Sequence, residues 1–240
     1  PPLDGTLPMA QLLERFQSYM DRNFGQPRIS LDYYRRELLQ ECLEQASGEP
    51  GLFTLSMPTG SGKTLTSLGF ALKHAVKYGM RRIIYVIPYT SIIEQTARVL
   101  RNVLGLDCVL EHHSNIRHDT VNCEDFATMQ SKLRLAEENW DFPVVVTTNV
   151  QFFESLFSNK RSRCRKIHNI ARSIVILDEA QMLNGGYYKP CLYALEELAR
   201  NYHCSVLMCT ATQPKIAGLY PPTVSVKELN RDVEKRHAQF

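Results

Sequence analysis

The chain has 240 residues, of which 44% are hydrophobic and 22% charged, and its formal net charge is +3. This composition is typical of a folded globular protein and excludes a disordered one, and no apolar run approaches the roughly 20 residues that a membrane span needs. The small positive charge permits a nucleic-acid partner without requiring one. Seven cysteines without C-x-x-C pairs argue for reduced thiols in a cytoplasm and against a disulfide framework or a zinc site.

Two amphipathic helices are predicted before the first strand. The first lies within residues 1–27, which we interpret as a connector from an upstream domain, because the opening residues read like the interior of a longer chain. The second spans residues 28–46, with Asp32 as its N-cap candidate. We therefore place the start of the main domain at residue 28.

A short apolar strand opens onto a glycine-rich turn that leads into a helix. The small side chains of the turn let backbone N–H groups point at an anion, and the helix start adds unpaired donors and the positive end of its dipole. Lys63 would reach the β- and γ-phosphates of a nucleotide, and the Thr64 hydroxyl would bind Mg²⁺. The predicted phosphate loop, which departs from G-x-x-x-x-G-K-[ST] at Met57, consists of Pro58, Thr59, Gly60, Ser61, Gly62, Lys63 and Thr64. The alternative is a glycine-rich turn that happens to end in Lys-Thr.

Apolar runs then alternate with amphipathic segments along the chain. Strands are predicted at 82–87, 108–110, 144–146, 174–177 and 206–209, and helices at 65–78, 92–104, 124–138, 151–157 and 188–201. This alternation predicts an α/β fold of three layers, with a mainly parallel sheet covered by helices on both faces. The carboxyl ends of such strands meet the functional loops along one edge of the sheet.

An acidic pair follows the strand predicted at 174–177. Asp178 at the strand end is placed to hold the Mg²⁺ shell, and Glu179 is placed to orient and deprotonate an attacking water. Asp-Glu after apolar residues is common, and a solvated strand end is the alternative. The pair gains weight because it lies about 115 residues downstream of a strand-flanked phosphate loop.

Three motifs together resemble those of superfamily 2 helicases. Motifs I, II and III in the first of their two RecA-like lobes are matched by the phosphate loop, by Asp178-Glu179-Ala180-Gln181 and by Thr210-Ala211-Thr212. The resemblance implies a RecA-like P-loop NTPase fold that uses ATP and Mg²⁺. Gln181, Thr210 and Thr212 would link the state of the nucleotide to the rest of the lobe.

Longer sequence runs look like the helicase part of the CRISPR-associated helicase–nuclease of type I systems. They cover roughly residues 28–214 and include YVIPYTSIIEQ at 85–95, EHHSN at 111–115, TTNVQFFE at 147–154 and LDEAQMLN at 177–184. The resemblance implies an ATP-driven translocase that moves 3′-to-5′ on single-stranded DNA, recruited to invading DNA by a Cascade-type complex in the cytoplasm of a bacterium or archaeon. In that family an N-terminal HD-type nuclease domain cuts the strand that the helicase reels in.

Further site residues follow from the resemblance to helicases. Gln40 lies seventeen positions before Met57, where many helicases place a glutamine that reads adenine; an exposed helix glutamine is the alternative. The candidate contacts to DNA phosphates are Pro88, Thr90, Ser91, Thr147, Thr148 and Gln151. Each group follows a strand and begins a helix, so it offers hydroxyls and free N–H groups, and simple N-capping is the alternative for each. The basic residues at 160–166 either attract DNA or are merely solvated.

The chain also departs from the helicase–nuclease pattern. Its His-Asp dipeptide, His118-Asp119, lies in a predicted loop, and we assign it no metal role. We interpret residues 28–218 as the ATP-binding lobe and residues 219–240 as a tail toward a second RecA-like lobe, since so short a segment cannot form another α/β domain. Two alternatives stay open. The chain is a nucleotide- or partner-binding module with little turnover, or it belongs to another superfamily 2 motor such as a restriction translocase or an RNA helicase.

Overall fold

The computed structural model describes residues 7–26, 29–113, 139–160, 165–183, 188–211, 220 and 224–230. The helices are α1 (Met9–Phe24), α2 (Ser30–Gln45), α3 (Lys63–Tyr78), α4 (Thr90–Leu104), α5 (Asn149–Phe157), α6 (Ile167–Ile170) and α7 (Tyr188–Asn201). The strands are β1 (Leu52–Ser56), β2 (Arg82–Ile87), β3 (Val109–His112), β4 (Val144–Thr148), β5 (Ser173–Leu177), β6 (Ser205–Thr210) and β7 (Val226–Glu228). Short 3-10 turns span Leu106–Cys108 and Ala180–Met182. Among the helices of these ranges, none has the length and apolar character to cross a membrane.

The strands form one sheet in the order β3-β4-β2-β5-β6-β1-β7, and every pair in it is parallel. This arrangement confirms the predicted α/β fold with a parallel sheet. The first strand of the chain lies between the last two, so its loop is brought beside residues that are distant in sequence. All carboxyl-terminal strand ends meet at one edge.

Side chains of successive strand residues enter two separate cores. On β2, Ile83 and Tyr85 belong to the core under α1, α2, α3 and α4, whereas Ile84 and Val86 belong to the core on the α5 and α7 side. Because both faces of the sheet are buried, the strands read as continuous apolar runs rather than as alternating ones. The helices therefore cover the sheet from both sides and leave its edge of strand ends accessible to ligands.

Helix α1 packs onto the lobe through its apolar face. Leu12 and Phe16 are buried at 0% and 1% exposure, in the same core as Leu68 and Leu72 of α3. The segment that we interpreted as a connector therefore packs against α3, the helix that follows the phosphate loop.

Two details at the element ends differ from the sequence predictions. Asp32 is not the N-cap of α2, because the helix begins at Ser30 and Ile29 takes the cap position. Asp32 instead lies in the first turn, where its carboxylate accepts the Ile29 N–H at 3.4 Å and pairs with Arg35 at 3.6 Å. The strand β7 was not predicted, and it adds to the free side of β1. The helix predicted at 124–138 lies outside the described residues.

Candidate nucleotide site

The phosphate loop and the acidic pair lie at the ends of neighbouring strands. The loop follows β1 and the acidic pair follows β5, and β6 lies between these two strands. Met57 N–H donates to Thr210 O at 3.0 Å, which ties the start of the loop to the end of β6. The sheet order therefore brings together the three motifs that the sequence keeps far apart.

The backbone of the loop has the shape that an anion cradle requires. Gly60 and Gly62 have φ of 81° and 91°, a left-handed region that side chains disfavour. Ser61 is fully buried, and its hydroxyl donates to Pro58 O at 2.6 Å. Gly62 caps α3, and within the described part of the chain no acceptor takes the N–H groups of Lys63 and Thr64. These free donors and the helix dipole face the same space.

Lys63 reaches across this space to both carboxylates. Its Nζ lies 3.2 Å from Asp178 Oδ1 and donates a hydrogen bond to Glu179 Oε1. Burial lowers the pKa of Lys63, but the charge of Asp178 and the bond to Glu179 outweigh this effect and raise the pKa above its ordinary value. Burial raises the pKa of Asp178, since the lost hydration outweighs the attraction of Lys63. The ammonium group is thus charged, largely shielded from water and in the wall of the cavity that the loop and Glu179 line.

Glu179 is held in an unusual conformation. Its φ of 49° is left-handed, which is uncommon for a residue other than glycine. Its N–H donates to Asp178 Oδ1 at 3.0 Å, and Gln181 Nε2 donates to Glu179 Oε2. Because Lys63 and Gln181 bind different oxygens of the carboxylate, Glu179 has a fixed orientation toward the loop.

The residues present fit a polyphosphate and a divalent cation. The loop and Glu179 line a cavity of about 340 Å³, and Lys63 at its wall carries the charge that phosphates attract. Within the described residues, the buried Gln181 Oε1 and Thr210 Oγ1 have no hydrogen-bond partner, which leaves polar groups free for a ligand shell. The Thr64 hydroxyl and the Asp178 carboxylate are oxygen ligands of the kind that Mg²⁺ prefers.

A larger cleft of about 660 Å³ adjoins the loop. Helices α1, α2 and α3 line it, with Gln40 and Arg35 in its wall. Gln40 is exposed, its Nε2 donates to Glu44 Oε1 at 3.4 Å, and it lines the cleft that adjoins the phosphate loop. Arg35 Nη2 donates to Gly60 O at 2.5 Å. Sequence reasoning missed this contact, since an arginine in a helix carries no local signal of it.

The candidate DNA contacts follow two paired strands, β2 and β4. Thr90 and Ser91 are exposed in the first turn of α4, and Pro88 before them is partly exposed. Thr148 caps α5, since its Oγ1 accepts the Gln151 N–H at 3.1 Å.

Two further candidates for DNA binding are buried. Thr147 is 0% exposed, and its hydroxyl donates to His112 O at 3.0 Å, so this hydroxyl is not available to a phosphate. In the basic segment Lys160 is exposed, but Lys166 is 5% exposed and its Nζ lies 4.8 Å from the centroid of the Trp140 ring. Lys166 is thus an internal cation–π partner rather than part of a basic surface.

Some sequence predictions lie outside the described residues. These are Thr212, the loop residues Ser114 and Asn115, and the dipeptide His118-Asp119. In the ranges that the structure does describe, no group of three or more His, Cys, Asp or Glu residues is arranged to hold a metal ion.

Comparisons with known proteins agree with this geometry. The model of the DEAD/DEAH box helicase family matches residues 36–218. The CRISPR-associated nuclease/helicase Cas3 of Haloferax volcanii is 30% identical over 221 residues, which cover 84% of this chain and 24% of that protein. Both findings confirm the resemblances drawn from the sequence motifs. The chain spans about a quarter of the length of this curated relative.

Solved structures show the same fold. The Hef helicase domain of Pyrococcus furiosus has a TM-score of 0.54 at 20% identity and matches 89% of this chain and 41% of its own. The DUF1998 helicase MrfA, solved bound to DNA, has a TM-score of 0.61 at 15% identity and matches 94% of this chain and 30% of its own. With the family model matching most of its length, the chain belongs to the DEAD/DEAH box helicase family.

Proposed function

We propose that the chain is the ATP-binding and ATP-hydrolysing lobe of a DNA helicase of the CRISPR type I helicase–nuclease kind. The observation that carries this proposal is the meeting of Lys63 with Asp178 and Glu179 at the ends of neighbouring strands. A phosphate-binding lysine and an acidic pair at one point are the parts that phosphoryl transfer to water requires. A glycine-rich turn without function would not bring these three groups together.

The residues would act by exchanging partners. When the phosphates of ATP enter, Lys63 leaves the carboxylates for the β- and γ-phosphates. This frees Glu179 Oε1 to accept a proton from the attacking water. Gln181 keeps its bond to Glu179 Oε2, so the carboxylate stays oriented during the exchange. Thr64 and Asp178 would hold Mg²⁺, which neutralises charge on the phosphates.

Nucleic acid would lie along the edge of the sheet at β2 and β4. We propose that Thr90, Ser91 and the first turn of α5 contact the phosphates of single-stranded DNA, since Thr90 and Ser91 expose their hydroxyls and helix starts offer N–H donors to phosphates. Translocation 3′-to-5′ would need a second RecA-like lobe, and degradation would need an HD-type nuclease domain. A Cascade-type complex in a prokaryotic cytoplasm is the proposed setting, supported by the similarity to Cas3.

Nucleotide binding and turnover by the 240-residue chain test the proposal. Titration calorimetry with ATP and Mg²⁺ should show binding that Lys63→Ala abolishes and that Lys73→Ala, a control on the same helix, leaves intact. Turnover, measured with and without single-stranded DNA, should be low and should fall further in Glu179→Gln but not in Glu49→Gln. A wild-type chain that binds no ATP, or binding that is indifferent to Lys63→Ala, would refute the ATPase function.

The same assay separates the open alternatives. An isolated lobe lacks the arginine finger that a second lobe would supply, which is worth on the order of 10³–10⁵ in rate in related systems. Binding with turnover near background therefore supports a lobe that works with a partner lobe, or a binding module. Comparing DNA with RNA of the same sequence as activator distinguishes a DNA motor from an RNA helicase.

A further inference from the structure

The edge strand β7 binds Ser56, the last residue of β1 before the phosphate loop. Regular pairing of β7 with β1 ends at the pair of Thr54 and Glu228, and Leu229 N–H makes a last backbone bond to Thr54 O at 2.8 Å. Ser56, the final residue of β1, lies beyond this point. Without another partner, its backbone groups would face no strand on this side of the sheet.

Side chains from β7 and its end complete the missing part of the ladder. Glu228 Oε1 accepts the Ser56 N–H at 3.1 Å, and Glu228 Oε2 accepts the Ser56 hydroxyl at 3.2 Å. Asn230 Nδ2 donates to Ser56 O at 2.8 Å, and Asn230 N–H in turn donates to Glu228 Oε1 at 3.1 Å. Every polar group of Ser56 is therefore bound by a side chain of this segment, although Glu228 itself lies at the surface.

The entry of the phosphate loop is thus held from two sides. Ser56 is fixed by the β7 side, and the next residue, Met57, donates its N–H to Thr210 O of β6 at 3.0 Å. Ser56 is 7% exposed and Asn230 2%, so water competes little for the bond between these two residues. The backbone N–H groups of the phosphate loop lie only a few residues after Ser56 and Met57. The direction in which these groups point therefore depends on how Ser56 and Met57 are held.

We propose that Glu228 is a positioning residue for nucleotide binding, acting through Ser56 on the phosphate loop. The inference rests on the proposed nucleotide function of the same site. Removing the Glu228 carboxylate leaves a buried N–H without its charged acceptor, which is costly, and a shift of the strand end and of the loop that follows it relieves that cost. We expect Glu228→Ala to weaken ATP binding about tenfold.

The experiment compares ATP affinity with thermal stability in matched variants of the 240-residue chain. Dissociation constants come from titration calorimetry at a temperature where circular dichroism shows every variant folded. Glu228→Gln should stay within about threefold of wild type, because its amide oxygen still accepts the Ser56 N–H. Glu49→Ala, which removes an exposed carboxylate just before the other end of β1, should leave the affinity unchanged. Hydrogen exchange at residues 56–60 should rise in Glu228→Ala.

The outcomes separate this role from others. A lower melting temperature with an unchanged dissociation constant in Glu228→Ala would make Glu228 merely structural and overturn the proposal. ATP binding that needs Lys63 but not Glu228 overturns this inference alone, whereas a wild-type chain that binds no ATP overturns the proposed function as well. If Glu228→Ala does not fold, Ser56→Ala and Asn230→Ala test the positioning role instead. Each removes one bond and should weaken ATP binding about threefold. An unchanged ATP affinity in both variants would contradict the role.

Discussion

Lys63→Met should destabilise the chain in the absence of any nucleotide. Methionine keeps the unbranched stem of lysine but removes the charge, so Asp178 and Glu179 lose their shared cation. The side chains of Lys63, Asp178 and Glu179 are 10%, 14% and 26% exposed. Breaking a fully buried pair costs roughly 3–5 kcal/mol, and the partial exposure of Glu179 reduces this. We therefore expect the free energy of unfolding to fall by about 2 kcal/mol.

Thermal unfolding followed by circular dichroism measures this change. For a chain of this size, about 2 kcal/mol lowers the melting temperature by roughly 4–8 °C. The loss should largely disappear when Lys63→Met is combined with Asp178→Asn and Glu179→Gln, because the uncompensated carboxylates are then gone. Lys73→Met serves as the control on the same helix.

A melting temperature of Lys63→Met within about 1 °C of the Lys73→Met control would refute the reasoning. So would an equal loss in the carboxylate-free background, since the cost would then come from packing of the stem rather than from charge. Either result would mean that the charge of Lys63 does not stabilise the chain through Asp178 and Glu179 when no phosphate is present.

Three further predictions concern stability. Burial, with Lys166 and His113 nearby, lowers the pKa of His112 to about 4. Between pH 6.5 and 4 the unfolded chain therefore binds a proton that the folded one does not. The free energy of unfolding should fall by up to about 3 kcal/mol through His112 as the pH falls through this window. His112→Gln should remove this pH dependence in denaturant titrations. Gly62→Ala should lower stability by about 1–2 kcal/mol in thermal melts, because alanine disfavours the left-handed φ. Thr148→Ala should cost about 1 kcal/mol by loss of the α5 cap, and Thr148→Asn should restore most of it.

Each of these changes has a matched control. Exposed His168 is the control for His112, and an unchanged pH slope in His112→Gln would mean that another group titrates. Gly51 has nothing within 4 Å of an added Cβ, so Gly51→Ala should be nearly neutral, and equal losses at both glycines would contradict the strain argument. For Thr148, a loss that asparagine fails to rescue would show that the methyl group matters rather than the cap.

The parts of the site that are local in sequence could be predicted. The strand, the glycine turn and Lys63-Thr64 are contiguous, and their residue types determine the backbone shape and the charge. The acidic pair was predictable for the same reason, because it follows directly on four apolar strand residues. That Lys63 binds both carboxylates depends on the order of the strands, and the alternation of apolar runs does not determine this order.

The contacts missed by sequence reasoning come from tertiary packing. Strand β7 is three residues long and partly exposed, so it carries no periodic signal. It contributes to the site through the hydrogen bonds of Glu228 to Ser56. Arg35 bonds to the phosphate loop from a separate helix, which only the packing of α2 on α3 explains. Asp32 was misplaced because α2 begins at Ser30, so its cap position falls on Ile29, three residues before Asp32.

The position of β1 between β6 and β7 has a consequence for synthesis on the ribosome. Ser56 and Glu228 are 172 residues apart, so at roughly 5–20 residues per second about 10–30 seconds separate their translation. During most of that interval the phosphate loop has emerged without either strand that supports it. A nascent chain interrupted before β6 therefore carries the complete phosphate-loop sequence but no formed nucleotide site, and its apolar β1 is a segment that chaperones can bind.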